Sequence, residues 1–282
     1  MNRRKKEPLS IGTIGYKILL YLYAAINLYP IVWMLFYSFK DNSEIFVTNP
    51  FGFPSTLHWD NYAKAWNTFN LPTYFMNSVK ITFAVIVFVV VFATMFSYAT
   101  ARMTFKGQTF LRVLTMIGLF LPLQCIMIPI AVLVRDLHIA NTLWAVIIPY
   151  TAFNLSFSTM VIYGYMRSLP FELEESACLD GASIWTCFLH IIVPNVKSAI
   201  ATVAIFVFMA VWNEYNLALV LLTRPNLKTL PLGLLFFQGE YTTDWGAMGA
   251  TMVIASIPTV LIYTLFSAQV EKAMTVSGAV KG

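Results

Sequence analysis

The sequence predicts an all-α, polytopic membrane protein with six transmembrane helices, and two observations predict it. Of the 282 residues, 59% are hydrophobic and 11% are charged, whereas soluble domains carry about 25% charged residues. Six apolar stretches also reach the roughly 20 residues that a helix needs to cross a bilayer. These predicted spans lie at about residues 13–39, 79–101, 110–134, 143–166, 198–222 and 246–269. The length therefore suits a single transmembrane domain over residues 1–282, with no soluble domain beside it.

The first apolar stretch follows four basic residues at positions 3–6, an arrangement that also begins secretory signal peptides. It runs from about Ile11 to Phe39, which is too long for the apolar region of a signal peptide. No small-residue cleavage site follows it. We therefore expect a retained first span.

Prolines are expected to shape several spans, because a proline inside a helix removes one backbone hydrogen bond and kinks the chain. Neighbouring helices must then pair the freed carbonyl groups. Pro30, Pro122, Pro129 and Pro258 are examples that lie inside predicted spans.

The basic residues predict the orientation of the chain. An even number of spans places both termini on one side, and that side holds twelve of the 18 lysines and arginines. By the positive-inside rule it is the cytoplasmic side, which also contains the loop at 167–197. The outer loops lie at about 40–78, 135–142 and 223–245. Their tryptophans and tyrosines suit either an aromatic belt at the membrane interface or a docking surface for an external protein.

Motifs of covalent chemistry are absent from the sequence, which has no Walker lysine motif, no GxSxG and no HExxH. The three cysteines lack CxxC or Cys/His spacing and the three histidines lie far apart, so we expect no metal site and no enzyme. The basic residues collect at the ends of spans and not among aromatic residues, which argues against nucleic acid as a partner. Glu214 is the only ionisable residue well inside a span, whereas ion-coupled transporters usually need such residues. The source of energy is therefore expected outside this chain.

The polar loop at 167–197 contains signals for the start and the end of a short helix. Pro170 and three glutamates suit the first turn of a helix, where acidic side chains complement the helix dipole. Ala177 and Gly181 are four residues apart, so they share one face and let another chain approach closely. Gly181 can end this helix, and a second short helix is expected from Ile184 to Ile192, ending at Pro194.

This loop resembles the EAA loop of the permease subunits of bacterial ABC importers, in which E-A-A-x-x-x-G is followed after nine residues by I-x-L-P. The matching segments are Glu175-Ser176-Ala177, Asp180-Gly181-Ala182 and Ile191–Pro194, with Ser176 in place of alanine and Val193 in place of leucine. The resemblance covers nearly the whole chain. The run Trp212–Tyr215 and the ending Gly278–Gly282 are similar to the carbohydrate-uptake branch, and especially to the maltose-type six-span permease subunit.

The resemblance implies that the loop is a coupling helix, which sits in a cleft of a cytoplasmic ATPase and moves the spans when that ATPase closes on ATP. Glu175 would then pair with a basic group of the ATPase, and Gly181 would set the angle between the two short helices. The alternative is a solvated acidic linker in which Glu172 and Glu174 only cap a helix. The residues assigned to ATPase coupling are Glu175, Ser176, Ala177, Asp180, Gly181 and Pro194. The tail residues Lys281 and Gly282 would reach between the ATPase subunits, or form a frayed end.

Candidate contacts with the transported solute lie in the fifth span. Trp212 and Tyr215 can stack on sugar faces, and Asn213 and Glu214 can bond hydroxyl groups. Gln124 in the third span is a further candidate. In a continuous helix Trp212 and Tyr215 share a face while the two residues between them turn away, so all four cannot contact one ligand. The alternative is that Asn213 and Glu214 hold a partner subunit or an outer gate.

The expected protein is thus a permease subunit that forms half of the pathway for a carbohydrate, expected to be an oligosaccharide, in the cytoplasmic membrane of a bacterium or archaeon. The resemblance implies four kinds of partner: a second homologous permease in a heterodimer, two ATPase subunits, an extracytoplasmic solute-binding protein, and the lipid bilayer. This chain would bind no cofactor, since ATP and Mg are used by the ATPase subunits. Two alternatives stay open, which are a permease for another polar solute such as glycerol phosphate and a stand-alone ion-coupled transporter.

Overall fold

The computed structural model describes residues 11–67, 70–237 and 243–278, and these residues form helices and connecting turns without a β-strand. The all-α prediction is therefore confirmed. The α-helices are α1 (Ile11–Tyr37), α2 (Asp60–Asn67), α3 (Leu71–Arg102), α4 (Gln108–Ile117), α5 (Leu123–Asp136), α6 (Trp144–Ser168), α7 (Glu172–Leu179), α8 (Ile184–Thr186), α9 (Val193–Asn195), α10 (Lys197–Trp212), α11 (Asn216–Leu221), α12 (Leu230–Gly233) and α13 (Trp245–Gly278). Short π-helical turns occur at Glu44–Thr48 and Cys187–Ile192, and 3₁₀ turns at Gly118–Phe120, Pro225–Leu227 and Leu234–Phe237.

Four of these helices are long and apolar enough to cross a membrane alone: α1, α3, α6 and the part of α13 up to Phe266. Two further spans result if each of two bent helix pairs counts as one span. One pair is α4 with α5, bent by 109°, and the other joins the segment Ile184–Asn195 to α10 at 72°. The described residues thus include four to six candidate membrane spans, in agreement with the polytopic all-α fold that the sequence predicts.

The third predicted span, 110–134, differs from the kinked helix that its prolines suggest. The chain leaves the helix at Leu121, where φ is −82° and ψ is 112°, and α5 begins only after Pro122. A proline disfavours the helical conformation of the residue before it, which explains the position of the break. Gly118 allows the close approach of α6, because an added Cβ there would collide with the Ser156 hydroxyl.

Two other boundaries also differ from the prediction. Helix α3 begins at Leu71, eight residues before the predicted span, with a proline in its first turn. The fifth predicted span, 198–222, is interrupted between α10 and α11 at residues 213–215. The start of α3 coincides with a proline in the first helical turn, whereas the break at 213–215 coincides with contacts of Glu214 within the folded chain.

Chain packing divides the described residues into two compact units, and the larger comprises residues 70–235 and 255–278. Its core is the contact of α3 with α6 and α10. Small and β-branched side chains of α3, such as Val85, Val89 and Ala93, are fully buried there and allow the helices to lie close together. Both ends of the loop between α6 and α10 are joined to this core.

The smaller unit comprises residues 11–67, 236, 237 and 243–254. The end of α1, helix α2 and the start of α13 meet in it. The buried Asn61 side chain donates hydrogen bonds to the carbonyl oxygens of Ser38 (3.0 Å) and Lys40 (2.9 Å). Gly246 lies against the same group, since an added Cβ would be 2.5 Å from both the Lys40 carbonyl oxygen and Asn61 Nδ2. A side chain at position 246 would therefore separate α13 from α2.

The close contact at Gly246 predicts that Gly246→Ala destabilises the protein by about 1–3 kcal/mol, because the methyl group meets backbone and a buried amide that cannot move aside. Gly15→Ala is the matched control, since nothing lies within 4 Å of the added methyl there. Thermal unfolding in mild detergent should lower the midpoint of the Gly246 variant only. Equal midpoints for the two variants would contradict the packing described.

Candidate functional site

Helix α7 and the turn after it are determined by local sequence. The first turn contains Glu172, Glu174 and Glu175, which complement the positive end of the helix dipole. At the other end, Gly181 has φ +82° and donates a hydrogen bond to the Cys178 carbonyl oxygen (3.0 Å), while Ala182 donates to that of Ala177 (2.9 Å). This pair of bonds is a Schellman motif, and glycine suits its left-handed position because it has no Cβ.

The second half of the loop begins with a side-chain cap. The Ser183 hydroxyl accepts a hydrogen bond from the Thr186 backbone N–H (3.2 Å), which starts α8. The helix then widens into a π turn at Cys187–Ile192 before Pro194, whose ring conflicts with a normal helical turn. Helical turns continue to Asn195, so Pro194 does not end the segment as expected; the bend comes at Val196 instead.

The surface of the loop is largely open. Of the residues assigned to coupling, Ala177 is half-buried, and the exposed ones are Glu175, Ser176, Asp180, Gly181 and Pro194. Leu179 at the turn is 90% exposed, and Ile184 and Trp185 are also exposed. Three carboxylates (Glu172, Glu175 and Asp180) and these apolar side chains form an exposed surface, behind which Trp185 contacts the buried Phe188. We call this surface the knob.

Sequence reasoning missed the residue that attaches the knob to the bundle. Arg102, in the last turn of α3, has a side chain that is only 1% exposed, and its Nε lies 3.3 Å from Oε2 of Glu174. Its Nη2 donates a hydrogen bond to the Leu169 carbonyl oxygen (2.9 Å), and its guanidinium lies 4.4 Å from the centre of the Phe171 ring. The signal available in the sequence was that Arg102, at the end of an apolar span, and the acidic loop at 167–197 lie on the same predicted side of the membrane.

Glu214 is bound within the chain at the break between α10 and α11. Its Oε1 accepts a hydrogen bond from the Leu217 backbone N–H (2.9 Å), and its Oε2 accepts from Ala218 N–H (3.3 Å) and from the Tyr150 hydroxyl of α6. The carboxylate thus caps the first turn of α11 and joins it to α6. In a bilayer such caps are needed wherever a helix is interrupted, because no water is present to pair the freed N–H groups.

Trp212 is also occupied by neighbours. It is 3% exposed, and its indole N–H donates to the Ala255 carbonyl oxygen of α13 (3.0 Å). Phe208 stacks on its ring at 5.5 Å and Phe75 meets the ring edge-on at 5.6 Å. In this conformation Trp212 has no free face for a sugar.

The remaining pathway candidates are more accessible. Asn213 is exposed and donates only to the Met209 carbonyl oxygen of its own helix (2.8 Å), and Tyr215 is half-buried. Gln124 is exposed in the first turn of α5, directly after Pro122. Lys281 and Gly282 lie outside the described residues. Within the described part of the chain, no group of three or more His, Cys, Asp or Glu side chains is arranged to hold a metal ion.

The family model for the "binding-protein-dependent transport system inner membrane component" matches residues 91–276 of this sequence. The match includes the entire knob and the break at Glu214. The chain belongs to this family. It is therefore the permease component of such a transport system, a multi-pass protein of the inner membrane and not itself an enzyme.

Individual relatives match over almost the full length of the permease. The probable ABC transporter permease YurM of Bacillus subtilis is 34% identical and is aligned over 96% of this chain and 90% of its own. The diacetylchitobiose uptake permease NgcG of Streptomyces coelicolor is 32% identical and is aligned over 89% of this chain and 84% of its own. The trehalose/maltose permease MalG of Thermococcus litoralis is 31% identical and is aligned over 99% of this chain and 98% of its own.

The fold of the permease is also found in a solved structure. A chain from the crystal structure of a bacterial ABC transporter that imports the acidic polysaccharide alginate superimposes with a TM-score of 0.83. The superposition covers 95% of the permease and 99% of that chain, at 20% sequence identity. Such a low identity supports the fold alone.

The position of Glu214 predicts a role in stability. In Glu214→Ala, the Tyr150 hydroxyl and two backbone N–H groups lose their acceptor, which should cost about 1–3 kcal/mol for each group left unpaired. Glu214→Gln keeps an acceptor and should lose less. Asn213→Ala is the control, because that side chain bonds only within its own helix. The thermal midpoint in detergent should fall for Glu214→Ala, and a midpoint equal to that of Asn213→Ala would contradict the capping role.

Proposed function

We propose that this permease forms half of the translocation pathway of an importer for an oligosaccharide, and that ATP hydrolysis by separate ATPase subunits drives it through the knob. The observation that carries the proposal is the knob itself, which is rigidly capped, attached to α3, and open on its outer surface. A segment of this kind suits binding to a partner, because the order required for binding is already present.

The chemistry of the knob suggests what the ATPase must offer. Exposed carboxylates at Glu175 and Asp180 suit basic groups, and the protruding Leu179 suits an apolar cleft. Because Ala177 and Gly181 have little or no side chain, the partner can approach the helix backbone closely. ATP and Mg would be bound by the ATPase, and the tail residues Lys281 and Gly282 are proposed as a further contact with it.

The names of the relatives support a carbohydrate. Permeases named for diacetylchitobiose, trehalose/maltose and multiple-sugar systems are all 31–32% identical to this chain over at least 89% of its length. A second solved structure, of an alginate transporter with a pentasaccharide-bound periplasmic protein, superimposes at a TM-score of 0.63 and 13% identity. We infer that this permease also receives its solute from an extracytoplasmic binding protein and pairs with a second, homologous permease.

The orientation proposed for the chain places both termini and the knob in the cytoplasm. The distribution of lysines and arginines supports it, since twelve of the 18 lie on that side in the predicted topology. An ATPase in the cytoplasm could then reach the knob. The outer loops would face the binding protein on the opposite side.

One observation favours a sugar over glycerol phosphate as the solute. The residues at the break between α10 and α11 include no basic side chain that could bind a phosphate group. The Glu214 carboxylate at this break is bound by Tyr150 and by backbone N–H groups, which disfavours a proton-carrying role in an ion-coupled transporter.

The direct test is to purify the tagged chain in mild detergent, identify the proteins that accompany it, and reconstitute the complex in vesicles. Uptake of radiolabelled trehalose, maltotriose or diacetylchitobiose should require ATP, the binding protein and the co-purified ATPase. Solute movement by this chain alone, without ATP, would show that a stand-alone transporter is the better description.

Two substitutions in the knob test the coupling role. Glu175→Lys reverses a charge that is expected to face the ATPase, and Gly181→Trp puts a bulky side chain at a position with φ +82°. Both should insert into the membrane at wild-type levels and lose ATP-dependent uptake by at least roughly tenfold, a typical size for a coupling interaction.

Glu172→Lys is the matched control for the charge reversal, since this exposed glutamate lies in the same turn and outside the family motif. It should lose much less uptake than Glu175→Lys. Normal uptake by both knob variants, at equal membrane levels, would show that the knob does not transmit the work of the ATPase.

A further inference from the structure

We propose that Arg102 is a positioning residue for coupling: its ion pair with Glu174 holds the knob to α3, so that a movement of the knob moves this span. The inference rests on the proposed function and assigns a role to two residues outside the family motif. It makes the two adjacent glutamates, Glu174 and Glu175, different in function.

The geometry separates the two glutamates. Glu174 has a side chain that is 14% exposed and turns inward to Arg102, whereas Glu175 is exposed on the knob. Consecutive residues of a helix point about 100° apart, so one turn of α7 can face α3 with the first carboxylate and a partner with the second. The same turn would therefore receive a force on one side and pass it on at the other.

Arg102 also contacts the loop at more than one point. It binds the Leu169 carbonyl oxygen just before α7, it lies over the Phe171 ring, and it pairs with Glu174 inside α7. An arginine suits this task because its planar guanidinium carries five donors in a fixed arrangement. The three contacts together fix the start of α7 in direction as well as in distance.

The second half of the loop packs on the same end of α3. The ring of Tyr98, one turn before Arg102, lies 5.0 Å from that of Phe188, which in turn contacts Trp185 at 5.9 Å. Phe188 and Cys187 are buried, and Ile184 and Trp185 are exposed. Both halves of the loop are thus joined to the last two turns of α3, with the outer surface left to the partner.

A role in stability alone would not explain a buried ion pair. The desolvation of two charges often exceeds their attraction, and well-packed apolar residues of similar size hold a fold as firmly. Arg102 Nε and Nη1 and Glu174 Oε2 have no geometrically satisfactory hydrogen bond among the described residues, so the 3.3 Å contact between the two side chains is an electrostatic one. What Arg102 adds over an apolar side chain is the directional hydrogen bond from Nη2 to the Leu169 carbonyl oxygen, together with the charge that attracts Glu174.

This difference gives a test that separates coupling from folding. The double variant Arg102→Met/Glu174→Leu replaces the pair with apolar side chains and leaves no charge buried alone. The single variants Arg102→Lys and Glu174→Gln keep one hydrogen-bonding partner each. Arg167→Met is the control, because this arginine is exposed in the last turn of α6, at the other end of the same loop.

Each variant is purified within the complete transporter. Three quantities are then measured: the amount of ATPase subunit bound, the ATP hydrolysed, and the uptake of sugar. The sugar is the one that the wild type imports from the panel of trehalose, maltotriose and diacetylchitobiose. The double variant should bind the ATPase subunits as the wild type does and should hydrolyse ATP. Its uptake per ATP should fall by about tenfold, a typical size for coupling between sites. Arg102→Lys should restore part of this ratio, and Arg167→Met should match the wild type.

Three results would overturn the proposal. Wild-type uptake per ATP in the double variant would show that the ion pair transmits nothing. Loss of the bound ATPase in the double variant would place Arg102 with the docking surface. Failure of all three variants to assemble, with the control intact, would show that the pair serves the fold alone. If the wild-type complex itself moves sugar without ATP, the proposed function fails instead, and the two failures are therefore distinguishable.

Discussion

The membrane leaves no backbone polar group unpaired at its centre, and this constraint determines where the helices of the permease can break. Two interruptions coincide with a specific compensation. Pro122 contributes no N–H at the break after α4, and Glu214 accepts from two N–H groups at the start of α11. The Tyr150 hydroxyl from α6 completes the second site. Particular residues therefore specify both of these breaks.

The knob is exposed, and the backbone polar groups of its turn are paired within the loop itself. The Schellman motif at Gly181 and the Ser183 cap satisfy the backbone of the turn, so the loop needs no partner to keep its shape. Its carboxylates and Leu179 then remain free for another protein. Arg102 joins this pre-formed surface to α3, and the break at Glu214 lies in the same unit as that helix.

The all-α class, the apolar spans and the turn at Gly181 were predictable, since each follows from local composition or from one residue with a special conformation. The pairing of Arg102 with Glu174 was not, because the two are distant in sequence and only the folded bundle brings them together. The break at 213–215 was equally hidden, since none of Asn213, Glu214 and Tyr215 forbids a helix. The carboxylate that caps it is bound by Tyr150, a residue of another span.

The measurement that tests this account most directly is photo-crosslinking from position 175 in the intact membrane. A photoreactive residue at Glu175 should form an adduct with the ATP-hydrolysing subunit, and the same residue at the inward-facing position 174 should react within the chain, with α3. An ATPase adduct from position 175 only is the predicted result. No ATPase adduct from position 175, or an adduct with an extracytoplasmic protein, would contradict the assignment of the knob.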